Sequence, residues 1–238
     1  MKSIIRNLLN TFRIDLTKNL KYDRLSKAII SSSLTEKSNT VDIGCHKGEI
    51  LDLIMRKSTK GKHYGFEPIP AFYTKLTEKY KEKSNITILP YALGDSEEGV
   101  MFNHVKNAPA YSGLKQRNYD NISPDIEKIH VEQRRLDDCI PEKIPVALIK
   151  IDVEGAEFMV LKGAKRILQR DKPILLFEFG LGASDYYGTN PKEFFTFLEK
   201  FNYRIYTLDS YLKQKEFMSI SDFIQKYNTN EEYYFVAG

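Results

Sequence analysis

No run in this 238-residue sequence approaches the roughly 18 consecutive apolar residues that a membrane-crossing helix requires. The first residues also lack the unbroken apolar core and small-residue cleavage site of a secretory leader, so a cytoplasmic protein is expected. Cysteine is scarce. Cys45 and Cys139 lie far apart and in no metal-ligand spacing, which excludes a disulfide framework and a thiolate metal site and leaves two reduced thiols. A block of one charge is missing too: 36 basic and 32 acidic residues are interspersed, and the net charge of +4 with no basic aromatic-laced patch argues against a nucleic-acid partner. With no internal repeat, low-complexity tract or proline-rich linker, one domain with a substantial core is the default.

What is present is alternation. Ser38–Gly44 reads as a short strand leaving a polar turn, and a helix follows from Gly48 to about Lys57. Lys62–Glu67 is a second strand, Pro68 and Pro70 open a helix to about Lys81, and Ile86–Leu89 is a third strand. Val146–Ile151 is a buried strand running straight into a helix through the turn at Gly155; Pro173–Phe179, Tyr203–Leu208 and Glu232–Val236 are further strands, with helices over Pro191–Phe201 and around Asp222–Tyr227. Strands alternating with helices imply an α/β fold whose sheet is mainly parallel and seven-stranded, with helices on both faces and a hairpin-like last pair.

Two segments depart from this rhythm. Residues 1–33 read as a basic helical extension before a domain over 34–238; within it Ile4, Ile5, Leu8, Leu9 and Phe12 fall at helical spacing between Lys2, Arg6 and Arg13. Such a helix packs on its own domain or makes weak peripheral contact with a membrane through residues 2–16. The stretch of about 96–140 holds too few apolar residues for a core of its own and reads as an inserted β-hairpin-like segment, with strands at Gly99–His104 and His130–Arg135, over the carboxyl edge of the sheet.

Carboxylates mark the strand ends, where ligands of open α/β sheets sit. Asp42 ends the first strand before Gly44 and Gly48, a G-x-x-x-G turn that lacks both the G-x-G-x-x-G dinucleotide spacing and the Walker G-K-[ST] ending. A carboxylate there repels pyrophosphate but attracts an ammonium or sulfonium, which points to S-adenosylmethionine. Glu67 at the end of the second strand is placed to accept ribose hydroxyls, and Ala92 and Asp95 after the third to border the adenine. Singly these are also what a helix cap, a solvated strand end and a turn residue look like; their order on successive strands carries the reading. Asp152 and Glu154 follow the central strand, and Glu178 ends the next. The alternative is that Asp152 caps the following helix and Glu157 lies in that helix's first turn, where negative charge is favourable anyway.

With those residues in view, residues 38–180 resemble the FkbM-type methyltransferase family. The resemblance rests most on Lys150–Glu157 with Val160, Leu161 and Gly163, then Pro173 and Glu178, supported by Val41–Gly44, Gly48, Phe66–Pro68, Ala92–Asp95 and Leu136–Asp138. Cys45 and His46 depart from it, since relatives more often carry a small residue and Asn. It implies a Rossmann-like class I methyltransferase fold and S-adenosylmethionine-dependent O-methylation of a hydroxyl on a sugar, glycan or related small-molecule natural product. An alcohol needs its proton removed or its charge masked before it attacks. Asp152 is the candidate base, with Glu178, Glu154 and His104, and also His130, as further catalytic candidates; Asp152 and Glu178 can alternatively share a divalent cation such as Mg. Lys150, on the strand face of Asp152, either steadies its charge or reaches solvent. Two other readings remain beside this one: a non-catalytic cofactor-binding module, and methylation of RNA or protein.

Overall fold

A computed structural model describes residues 17–119 and 123–238. The amphipathic stretch 2–16 and its expected membrane contact lie outside them. Among the described residues, no helix is long and apolar enough to cross a membrane.

The main sheet contains β1 (Thr40–Ile43), β2 (His63–Phe66), β3 (Ile86–Leu89), β7 (Leu148–Ile151), β8 (Ile174–Glu178), β9 (Ile205–Thr207) and β10 (Tyr234–Ala237) in the order β3-β2-β1-β7-β8-β10-β9. Every described pairing from β3 to β8 is parallel, and β10 runs antiparallel to both β8 and β9, the expected closing pair. The order reverses between β1 and β7, and at such a switch point the diverging connections open a crevice at the carboxyl ends of the strands.

Strand periodicity of two sorts the core into layers. Val41, Ile43, Ile149, Ile151, Leu175 and Phe177 pack in one apolar cluster with α5 (Glu157–Lys162), α6 (Lys165–Asp171), α7 (Pro191–Lys200) and α9 (Ile220–Asn228). The intervening Leu148, Leu176 and Val236 pack on the other face with α1 (Lys18–Ser33), α2 (Glu49–Lys57) and α8 (Leu208–Leu212). Both faces of the sheet are therefore covered, and the polar side chains within the strands, such as Asp42, His63 and Lys150, are buried with the apolar ones. Local signals set the helix ends: Pro70 occupies the first turn of α3 (Pro70–Tyr80), and Ser219 with Asp222 forms a capping box on α9.

The inserted segment is larger than a hairpin. β5 (Glu98–Val105) and β6 (Ile126–Arg134) pair antiparallel, but β4 (Tyr91–Leu93) joins β6 in parallel to make a separate three-stranded sheet. Pro90, which has no amide hydrogen, stands between β3 and β4, and a three-residue strand is too short to show a period. The family-like Leu136–Asp138 stretch forms the short α4 (Leu136–Cys139), and the Asp137 carboxylate accepts amide hydrogens from Arg166 and Ile167 at the start of α6. That acid is thus an anchor for α6, the second helix after the central strand.

Gly44 fixes how closely β1 and β7 approach at their tips. Its φ is +75°, and a Cβ there would lie 2.0 Å from the Asp152 carbonyl oxygen. Left-handed strain costs ~1–3 kcal/mol, and overpacking against backbone a further ~1–3 kcal/mol. Gly44→Ala is expected to lose roughly the sum of the two in chemical denaturation; an unchanged midpoint would show that the tips separate freely.

Candidate active site

The crevice at the switch point is a cavity of about 790 Å³. Its walls come from the β1 turn (Gly44–Lys47), the β2 end (Phe66–Ile69), Tyr91–Leu93, the β7 end (Asp152–Glu154), Glu178 and the segment 109–119 of the insertion. Several residues of α1, including Tyr22, complete it.

Glu67 is buried to 4% exposure, and its position is set by backbone: Oε2 accepts the His46 amide hydrogen at 2.8 Å and Oε1 the Ile69 amide hydrogen at 3.0 Å. Burial pushes its carboxyl up to about 7, against the pull of those two amides. Each oxygen keeps a further lone pair, so the group can still accept ribose hydroxyls from the cavity side. His46 turns through φ +50° and packs on the Phe72 ring, 4.5 Å between centroids. Cys45 points the other way: it is buried with Leu51, Leu76 and Tyr80, and its thiol donates to the Asp42 carbonyl oxygen at 3.1 Å.

Asp42 corrects the sequence reading. It is completely buried and is not among the residues that line the cavity. The reason is Lys150, whose Nζ lies 3.4 Å from Asp42 and 3.5 Å from Asp152 and donates to the Gly44 carbonyl oxygen at 2.9 Å. Burial opposes the charge of this ammonium, but the flanking Asp152 and Asp42 outweigh it and hold Lys150 protonated. The expectation that Lys150 steadies Asp152 therefore holds, and Asp42 is the other half of the same arrangement.

Asp152 lines the cavity with its side chain 35% exposed. It caps no helix, because α5 begins only at Glu157 after Ala156. Glu157 is structural: buried, it accepts the amide hydrogens of Val153 and Gly155 at 3.1 and 3.2 Å and so shapes the turn that presents Asp152 and Glu154. Carboxylate oxygens of Asp152, Glu154 and Glu178 all fall within 4.8 Å of one another. Burial and the neighbouring acids push Glu154 up to about 8 and raise Glu178 well above the usual carboxylate range. Glu154, itself at φ +58°, is ion-paired with Arg117 of the insertion.

Besides Asp42, four further sequence candidates lie outside the cavity wall. Gly48 begins α2 at φ +73° against Tyr80 and Leu76, a packing position. Asp95 is exposed beyond β4, because the chain leaves the main sheet at Pro90 and carries residue 95 away; Ala92 does line the cavity. His104 pairs with Glu127 and His130 with Met101 on the inserted sheet, and His130 lies across Gly99. Neither histidine reaches the acids at the β7 and β8 tips. Conversely, Arg117, Tyr111 and Tyr119 of the insertion and Tyr233 and Tyr234 beside β8 line the cavity and were not singled out in the sequence. The stretch 111–119 carries no hydrophobic period, and its clustering of tyrosine with one arginine was the available signal, whereas Tyr233 and Tyr234 lie within the expected last strand.

These raised carboxyls link stability to pH. Glu67 and Glu157 at about 7 and Glu154 at about 8 hold protons in the folded chain that an ordinary glutamate near 4.5 has released. Their contribution is complete below about 4.5 and is lost as pH rises through 7 to 8, so the ligand-free protein is expected to lose stability over that window. Urea titrations at a series of pH values should show the decline, with a shallower slope in Glu157→Gln; a stability that rises toward pH 8 would contradict the burial of these acids.

Residues 42–205 match the family model of the methyltransferase FkbM domain. Methyltransferase sdnD of Sordaria araneosa is 29% identical over 152 residues, covering 52% of this chain and 59% of that protein. Methyltransferase FkbM from Methylobacillus flagellatus KT superposes with a TM-score of 0.51 at 19% identity, over 72% of this chain and 40% of that one. The chain thus spans about three-fifths of the curated relative and two-fifths of the structural one. The structural likeness shows the class I methyltransferase fold, with its mostly parallel seven-stranded sheet. Matched from the acid at the end of β1 through to β9, the chain belongs to the methyltransferase FkbM domain family.

Proposed function

We propose that this chain transfers a methyl group from S-adenosylmethionine to a hydroxyl of a sugar, glycan or related small-molecule natural product. The observation that carries the reading is a single cavity with a ribose-type acceptor, Glu67, on one side of the switch point and the acids Asp152, Glu154 and Glu178 on the other. The residues suit the cofactor. Glu67 retains free lone pairs toward the cavity, Gly44 brings backbone to its floor, and Ala92 and Tyr91 border the side where a purine ring would lie. S-adenosylmethionine, when bound, supplies a methyl group on a cationic sulfur that needs no further activation.

The chain then has two tasks, to hold the hydroxyl in line and to take its proton. Asp152 is assigned as the proton acceptor: it faces the cavity, and Lys150 beside it keeps its charged form compensated. Glu178, whose carboxyl burial drives toward the protonated form, can donate to or orient the same hydroxyl. Glu154 is held by Arg117 and shapes the wall between them. By donor chemistry the oxygen cluster also suits a hard divalent cation such as Mg, with Asp152 and Glu178 as its ligands. Arg117 already brings a positive charge to that cluster, and the proton transfer is assigned to side chains alone.

Calorimetry with S-adenosylhomocysteine is expected to show binding that Glu67→Gln weakens by about 10- to 100-fold, the worth of a charged hydrogen bond. Asp152→Asn should bind the same ligand within a few fold of the parent yet lose turnover by roughly 10²–10⁴. Methyl transfer from labelled donor, screened over glycans, small alcohols, RNA and protein, should label small hydroxylated acceptors; label found only in RNA or protein would overturn the acceptor assignment. Turnover should persist in EDTA, whereas loss restored by Mg would assign Asp152 and Glu178 to a metal.

A further inference from the structure

Helix α1 stands before the family-matched residues 42–205 and nonetheless walls the cavity. Asn19, Tyr22, Asp23, Ser26 and Lys27 line it at i, i+3, i+4, i+7 and i+8, the spacing of one helix face, while the adjoining Leu25, Ile29 and Ile30 pack with Leu148, Leu176 and Val236 of the sheet. The helix is fastened in that orientation. Lys18 Nζ donates to the carbonyl oxygens of Asn230 and Glu231 at 2.9 Å each, Lys21 pairs with Glu232 at 2.9 Å, and the Tyr22 ring stacks on Tyr234 with centroids 5.8 Å apart. Ser26 is only 5% exposed, yet its hydroxyl has no hydrogen-bond partner among the described residues.

Charge divides the cavity wall. Lys150 is held between Asp42 and Asp152, and Arg117 is paired with Glu154. Lys27 and Lys47 also line the cavity but form no ion pair among the described residues, while the acids near them in sequence, Asp23 and Glu49, each have an interaction of their own. The unmatched positive charge therefore lies at the end formed by α1 and the β1 turn. There Lys47 is exposed, whereas Lys27 is half-buried and follows the enclosed Ser26.

The amino-acid portion of the cofactor falls at the same end. With its ribose at Glu67 and its purine at Tyr91 and Ala92, the adenosyl group occupies the β2 side of Gly44, and α1 packs over β7, β8 and β10 on the other side. A chain running from the ribose across Gly44 ends under α1, carrying an ammonium and a carboxylate. A lysine ammonium only donates and a serine hydroxyl donates readily, so this pair suits the carboxylate.

We propose that Lys27 Nζ and the Ser26 hydroxyl hold the α-carboxylate of the methionyl end of S-adenosylmethionine, so that α1 completes the cofactor site from outside the family-matched residues; this rests on the cofactor reading of the same cavity. Lys27 supplies the charge that the carboxylate requires, and Ser26 fixes its direction with one hydrogen bond. The proton transfer stays with Asp152.

Calorimetry on the full chain tests it with S-adenosylhomocysteine and its decarboxylated counterpart, two ligands that differ only in the carboxylate. The parent is expected to bind the carboxylate-bearing ligand at least about tenfold more tightly. Lys27→Gln should weaken S-adenosylhomocysteine about tenfold, and Ser26→Ala about threefold or more, while neither weakens the decarboxylated ligand. Equal binding of the two ligands by the parent, a Lys27→Gln protein that keeps the parent's preference, or a parallel loss of both affinities in that variant would each overturn the assignment. So would a preference removed by Lys47→Gln in place of Lys27→Gln. Binding of neither ligand to the parent would remove the cofactor reading itself, an outcome distinct from a parent that binds both alike.

Discussion

The site depends on one buried ammonium. Lys150 sits on the central strand among completely buried neighbours, with carboxylates of Asp42 and Asp152 on either side and the carbonyl of Gly44 accepting its hydrogen. Breaking such an arrangement by removing one member costs ~3–5 kcal/mol because the remaining charges stay desolvated. Lys150 therefore ties the tips of β1 and β7 together where the sheet order reverses. Gly44 allows that approach, since any side chain there would strike the Asp152 backbone. The cation also compensates the charged form of Asp152 at the edge of the cavity.

From that tie the rest of the acidic wall follows. Glu157 gathers the amides of Val153 and Gly155, which bends the chain and carries Glu154 into a left-handed conformation facing the insertion. Arg117 meets it there and links the three-stranded sheet to the main one. The hydroxyls of Tyr186 and Tyr187, just after β8, hold the same segment by its backbone. Three parts of the chain far apart in sequence thus share one cluster of charges, and raised carboxyls are the electrostatic consequence of placing four acids in so small a buried volume.

Much of this was legible in the residue order. The main-sheet strands announced themselves as short, mostly apolar runs bounded by polar turns, and prolines marked helix starts, because these are local properties of the backbone. Placing Glu67, Asp152 and Glu178 together was legible too, since all three end parallel strands and ligand crevices open at those ends. Residues beyond the regular elements were harder. Asp95 follows just after β4 but is exposed and outside the cavity wall, and β4 is too short to signal its own pairing.

What the order of amino acids determined alone was the α/β alternation, the glycine turn after the first strand and the acids at the strand tips. What the tertiary structure decided was which way each charge faces: Asp42 inward onto Lys150, Asp152 outward to the cavity, Arg117 across from the insertion onto Glu154. The physical reason is range. Backbone preferences act over a few residues and are written in the local sequence, whereas the partner of a charge is whatever the fold brings within a few ångströms, and here that is 108 positions away for Asp42 and 37 for Glu154.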